Sequence, residues 1–296
     1  MNAVASTGKK RDTVISISNL HHSYGQKKIY EGLNLEIEPR TIFGLLGKNG
    51  VGKSTLINLL MGYLKPQKGE CLIFGEPANY LSPETRARIA LLYEGFISYD
   101  TMSIEQVEKF FSSFYPKWQK RYFIELIDLM DVSMHQPLSS LSFGQKSQVI
   151  LGLLLAQDAD LLILDDYSMG LDAGYRRLFV DYLGDYLNGT NKTVLITTHV
   201  MSDLESLVDQ IAIVDRSTTV FQSSMSHFNE MFRCYTSDEI TKIPDSPLIH
   251  RKEVHREKPM IYSFSGRSEV ESDTGASLVE VPMTFEERFL GYVGKY

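Results

Sequence analysis

Gly47-Lys48-Asn49-Gly50-Val51-Gly52-Lys53-Ser54 is a complete GxxxxGK[ST] match. The apolar run Ile42-Phe43-Gly44-Leu45-Leu46 precedes it, and the helix-like Thr55-Leu56-Ile57-Asn58-Leu59-Leu60 follows. That strand-turn-helix setting is what a phosphate-binding loop requires. Glycines let successive backbone N–H groups turn inward onto phosphate oxygens, and the helix N-terminus adds its positive dipole end. Lys53 is then placed to neutralise the β- and γ-phosphates, and Ser54 to ligate Mg²⁺. An ordinary Gly-rich turn with an exposed lysine is the competing reading, and the flanking strand and helix weigh against it.

Outward from this loop the pattern alternates. Strand-like segments begin at Val14 and at Leu33, and Arg88 to Tyr93 reads as another. Leu161-Leu162-Ile163-Leu164 is a short apolar strand ending in Asp165 and Asp166. Helix is expected at Tyr175–Leu187 and Ser202–Val208, and strand at Thr193–Thr197 and Gln210–Val214. Strands alternating with helices predict an α/β fold around a parallel sheet. Residues 94–154 instead carry helical periodicity, opened at Ser103 by a capping-box pattern with Gln106, and read as an insertion. The expected organisation is a tail over 1–13, a P-loop NTPase core over 14–222 with the helical part at about 94–154, and a small C-terminal accessory domain over 223–296. In that last part Ser263 to Val281 reads as short strand pieces between Gly and Ser. Thr284 with Glu287 marks the start of a final helix.

Composition sets outer limits. Thirty Lys and Arg against 37 Asp and Glu leave a net charge of −7, which argues against broad nucleic-acid binding. Two cysteines, Cys71 and Cys234, exclude a disulfide framework and fit a reducing compartment. No apolar run approaches the ~18 residues of a membrane span. The opening MNAVASTGKKRD lacks the apolar centre of a signal peptide, so export by that route is not expected.

Two acids closing a strand are often no more than a turn; behind a phosphate loop they fit a Walker B motif, with Asp165 on Mg²⁺ and Asp166 on water. Leu141-Ser142-Phe143-Gly144-Gln145 resembles the LSGGQ signature of ABC ATPases, with Phe143 replacing the first glycine. Gly170-Leu171-Asp172 is similar to that family's D-loop, and Thr197-Thr198-His199 to its switch-histidine segment. Five ordered motifs extend this resemblance from about Val14 to Ser223.

The resemblance implies an ABC ATPase fold and a set of roles. Gly47, Lys48, Asn49, Gly50, Val51, Gly52, Lys53, Ser54 and Thr55 would hold ATP, with Tyr24 stacked on the adenine. Ser142, Gly144 and Gln145 would contact the γ-phosphate of a nucleotide held by the opposite subunit. His199 would hydrogen-bond the γ-phosphate and align the attacking water. Glu94 takes the position of the family's Q-loop glutamine and would serve metal and catalysis with a charge that glutamine lacks. Asp166 stands where most members carry glutamate; one methylene shorter, it is expected to align water less well.

Glu94, the segment Phe114-Tyr115-Pro116-Lys117-Trp118 and the ending Phe285 to Lys295 together resemble the ATP-binding subunits of type-2 ABC exporters, nearest a YtrB-like branch. The Phe114–Trp118 segment reads equally as a helix-breaking proline among core aromatics. The implied partners are an integral membrane permease and a second ATPase subunit, a homodimer before a heterodimer, at the cytoplasmic face of the membrane. The rival within the same motifs is a non-transport ABC ATPase acting in assembly or regulation.

Overall fold

The computed structural model describes residues 13–93, 99–168, 170–215, 220–237, 243–255 and 258–294. The chain opens with β1 (Ile15–Tyr24), β2 (Lys27–Ile37) and β3 (Ile42–Leu46), then α1 (Lys53–Leu60), β4 (Lys68–Ile73), β5 (Glu76–Pro77), α2 (Pro83–Arg86) and β6 (Ile89–Leu92). Three helices follow, α3 (Ile104–Ser112), α4 (Lys120–Leu129) and α5 (Phe143–Ala156). The alternation resumes with β7 (Leu161–Leu164), α6 (Ala173–Leu187), β8 (Thr193–Ile196), α7 (Met201–Leu207), β9 (Gln210–Val214) and β10 (Val220–Ser224). Last come α8 (Met225–Met231), β11 (Arg233–Thr236), β12 (Arg251–His255), β13 (Lys258–Ser263), α9 (Arg267–Thr274), β14 (Val279–Val281) and α10 (Phe285–Val293).

The central sheet runs β10-β9-β3-β8-β7-β6. Its five strands from β9 to β6 are mutually parallel, and β10 closes one edge antiparallel to β9. Covered on both faces, parallel strands must be apolar along their whole length. In β7, Leu161 and Ile163 face a core built with α1 and the antiparallel sheet β2-β1-β4-β5, while Leu162 and Leu164 face α5 and α6. The phosphate loop and the Asp165-Asp166 pair therefore leave the same end of one sheet, where parallel strands present their carboxyl ends.

The helical part has its own small core of Ile104, Val107, Phe123, Ile127, Leu138 and Val149. Ser103 caps α3 through a complete capping box with Gln106. Trp118 donates its indole N–H to the buried Glu108 carboxylate at 2.8 Å, and Lys120 pairs with the other oxygen at 3.3 Å. The Phe114–Trp118 segment thereby ties the α3–α4 turn onto α3, which is a structural use of these aromatics.

The C-terminal part is joined to the central sheet and holds one element that differs from expectation. The boundary at 222/223 falls inside β10, which pairs with β9 from Val220 to Ser224. Beyond it, Phe228, Phe232, Phe285 and Phe289 join the same buried cluster as Leu204, Ile211 and Ile213, so this region shares a core with the ATPase sheet. The stretch Ser263 to Val281 also holds a helix, α9, where only strand pieces were expected. Gly266 opens it as N-cap, its N–H bonding Glu269, and Gly275 closes it in the left-handed region.

Candidate functional site

The phosphate loop is shaped by what its glycines permit. Gly52, the N-cap of α1, has φ 122°, a conformation that side chains disfavour. A Cβ at Gly47 would sit 2.6 Å from the Val214 carbonyl oxygen, so only glycine lets the loop pack against the end of β9. The first turn of α1 contains no acidic residue, leaving its dipole end unneutralised. Lys48, Asn49 and Gly50 form the open rim and Val51 is buried beneath it. Thr55 stands half-buried in the first turn of the helix. The Lys53 ammonium folds over the loop and donates to the carbonyls of Gly47 at 2.7 Å and Lys48 at 3.3 Å. The lysine charge is thus held over the loop at the start of α1.

Tyr30 belongs to this loop although no motif marks it. Its buried phenol donates to the Gly52 carbonyl at 2.7 Å, and burial pushes its pKa well above the usual phenol value. Tyr30 lies opposite His22 in the β1–β2 register. Tyr24, half-exposed near the hairpin tip, meets the His22 ring edge-on at 5.1 Å. A flat, accessible aromatic face therefore stands on the strand pair that braces the loop, as a stacked base would need.

Asp165 and Asp166 follow β7 into different surroundings. Asp165 is 2% exposed; its Oδ1 accepts from the Thr197 hydroxyl at 2.8 Å, while its Oδ2 has no protein partner. Burial raises its pKa, opposed by hydrogen bonds from Thr197 and Ser54 and by the Lys53 charge. An orphaned buried carboxylate oxygen beside a serine hydroxyl is a hard-oxygen donor set that fits Mg²⁺. Among the described residues no cluster of three or more His, Cys, Asp or Glu could hold a metal.

Asp166 sits at φ 48° and anchors its N–H on Thr197, through the carbonyl at 3.1 Å and the hydroxyl at 2.9 Å. Its carboxylate meets His199 Nδ1 at 2.9 and 3.2 Å. The acid and the imidazole, 33 residues apart in sequence, are brought into direct contact by adjacent strands β7 and β8. The Ser168 and Thr198 hydroxyls bridge the same two loops at 2.7 Å.

The Ser142 segment opens α5. Ser142 caps it, and Gln145 returns its side-chain oxygen to the Ser142 N–H at 2.9 Å. The Gly144 position is covered by the Tyr175 ring, too close for any side chain, and Phe143 lies across Gly170. Phe143 in place of glycine therefore packs the signature turn onto the segment before α6. A cleft of about 970 Å³ runs from Asp165 and Asp166 past Tyr93, Tyr99 and Phe143. Glu94 lies outside the described residues; its neighbour Tyr93 accepts a hydrogen bond from Asn58 at 3.3 Å.

The model of the ABC transporter family matches residues 30–168. Among curated proteins, Nod factor export ATP-binding protein I of Sinorhizobium fredii is 28% identical over 97% of this chain and 88% of its own length. Bacitracin transport ATP-binding protein BcrA of Bacillus licheniformis is 24% identical over 95% of this chain and 98% of its own. Among solved structures, an ATP-binding subunit of an ABC transporter superposes with TM-score 0.64 at 18% identity, over 74% of this chain and 92% of that one. CbiO1 of Clostridium perfringens, part of the ABC transporter complex cbiONQ, gives TM-score 0.61 at 24% identity, over 73% and 90%. The likeness in fold, the phosphate loop with its paired acids and the match of residues 30–168 agree: the chain is folded like the ABC ATPase subunits and is similar, over residues 30–168, to the ABC transporter family.

Proposed function

We propose that the chain is the energy-coupling subunit of an ABC exporter, hydrolysing ATP to drive a separate membrane permease. The observation that carries the catalytic part is the Asp166–His199 contact at 2.9 Å, at the same sheet end as the phosphate loop. Lys53 and the loop N–H groups bind the β- and γ-phosphates, and Tyr24 stacks on the adenine. Asp165 and Ser54 would hold Mg²⁺, which would supply charge neutralisation on the phosphates. Asp166 accepts a proton from the attacking water, and His199 orients the γ-phosphate. Water adds to the γ-phosphorus as its bond to the β-bridging oxygen breaks, giving ADP, inorganic phosphate and a proton. Asp166 is poised for this as a carboxylate base whose orientation His199 holds in advance.

Export is supported by the relatives named for Nod factor export and bacitracin transport, whose matches run across the C-terminal region as well as the ATPase core. No described helix is long and apolar enough to cross a membrane, which fits a subunit that relies on a separate permease. In this reading two subunits close head to tail on ATP, Ser142, Gly144 and Gln145 of each completing the other's site. The experiment is purification of the native complex from membranes with ATP and without it. A co-purifying integral membrane protein and an ATP-dependent ATPase dimer are expected. A stable soluble partner with no membrane protein would instead favour assembly or regulation.

A further inference from the structure

Tyr167, directly after Asp166, has a use that the reaction as described leaves unassigned. Its ring is 5% exposed and stacks on Phe179 of α6 with centroids 4.5 Å apart. Its hydroxyl donates to Asp203 Oδ2 on α7 at 2.8 Å. The same oxygen receives Arg176 Nε from α6 at 3.1 Å. One carboxylate oxygen thus joins three elements: the turn bearing Asp166, the helix that begins two residues after His199, and the helix following Leu171-Asp172. Burial and the Asp203 hydrogen bond both raise the Tyr167 pKa, so the phenol stays a donor at neutral pH.

Asp166 needs such support. A non-glycine residue at φ 48° lies in a sparsely populated region that persists only where the surroundings over-determine it. Thr197 anchors the Asp166 backbone on one side, and the Tyr167 side chain anchors it on the other. Because Asp203 and His199 belong to one short continuous segment, the bond from Tyr167 to Asp203 also sets the spacing between the Asp166 loop and the His199 loop. The geometry points to Tyr167 and Asp203 as positioning residues, a strut that fixes the Asp166 carboxylate against the His199 imidazole. This rests on the proposed roles of Asp166 and His199. Arg176 makes the strut responsive, since any displacement of α6 is felt at the oxygen that holds Tyr167.

The full-length chain tests this by steady-state ATPase kinetics on Tyr167→Phe, Asp203→Ala, their double variant and Asp166→Asn. Tyr167→Phe keeps the ring stack and removes only the hydroxyl. Misplacement of a reacting group by a fraction of an ångström predicts a roughly tenfold fall in kcat with KM for ATP within about twofold of wild type. The double variant is expected to fall no further than Asp203→Ala alone, because both changes cut the same link. Tyr186→Phe, which deletes another buried phenol bond from α6, to the Leu155 carbonyl, is expected to keep wild-type kcat. Wild-type kcat in Tyr167→Phe beside an inactive Asp166→Asn would overturn the strut alone. Equal losses in Tyr167→Phe and Tyr186→Phe would do the same, since that pattern is general destabilisation. Wild-type turnover in Asp166→Asn would overturn the site assignment and the strut together.

Discussion

Asp165 and Asp166 are adjacent carboxylates with opposite surroundings. Asp165 is buried with one oxygen unpartnered, so in the ligand-free chain it is a cost to folding that ligand binding offsets. Asp165→Asn removes the buried charge while its amide oxygen can still accept from Thr197. The variant is expected to raise ligand-free stability by about 1 kcal/mol, measured by chemical denaturation, and to lose Mg²⁺-dependent hydrolysis. A less stable variant would mean that Asp165 is satisfied in some other way. Asp166 carries the contrary expectation. A glutamate there would reach further past His199, so Asp166→Glu is expected to raise kcat several-fold, since about 1 Å of misplacement can cost roughly 100-fold. A slower variant would show a site built around the shorter acid. The sequence announced both acids because they close an apolar strand behind a phosphate loop. Tyr30 and Asp203 were not legible. Tyr30 reaches Gly52 and Asp203 receives Tyr167 and Arg176 across tens of residues, from a strand aromatic and a helix acid that look ordinary in one dimension.

At the scale of elements, legibility followed the strength of local chemistry. The starts of α3 and α10 were readable because Ser103 with Gln106 and Thr284 with Glu287 form complete capping boxes. Helix α9 was missed because its cap is a glycine and Val270 and Thr274 are its only buried residues, too few to produce a periodic signal. Glu76 in β5 shows how a short helix is held by chemistry outside it. Its carboxylate accepts from Ser82 N–H at 2.8 Å, the Ser82 hydroxyl at 3.0 Å and the Thr85 hydroxyl at 2.8 Å, fastening the start of α2. These bonds, led by the Ser82 N–H, lower its pKa. A depressed folded pKa gives stability that is present above the unfolded value and lost as pH falls through the folded one. Glu76→Gln should therefore melt below wild type at pH 7, with the gap closing below about pH 4 as the wild-type carboxyl protonates. A gap that stays constant down to pH 3 in thermal melts would contradict this.

Across the whole molecule, the parallel sheet and its phosphate loop were readable from uninterrupted apolar strands and glycine spacing, whereas the packing of the C-terminal region on that sheet was not. Composition shifts after Ser223, but the boundary hid an aromatic cluster in which Phe228 touches Phe221, Phe232, Phe285 and Tyr292. Ring contacts between residues so far apart leave no periodic trace. Phe228 is fully buried in the cluster that also contains Leu204 of α7. Phe228→Ala is expected to cost about 3–5 kcal/mol and to shift one cooperative transition, read by calorimetry. An early second transition with the ATPase core unmoved would mean that the C-terminal part unfolds on its own.

The central claim is that the Asp166–His199 pair acts on a nucleotide bound by the phosphate loop, and that the acid serves chemistry rather than binding. Single-turnover hydrolysis by Asp166→Asn, measured beside ATP affinity in the same preparation, tests it most directly. The amide keeps the shape and a hydrogen bond to His199 but cannot take a proton. Affinity within about threefold of wild type and hydrolysis reduced by at least ~100-fold are the expected result. Hydrolysis at the wild-type rate, or a loss of affinity equal to the loss of rate, would contradict it.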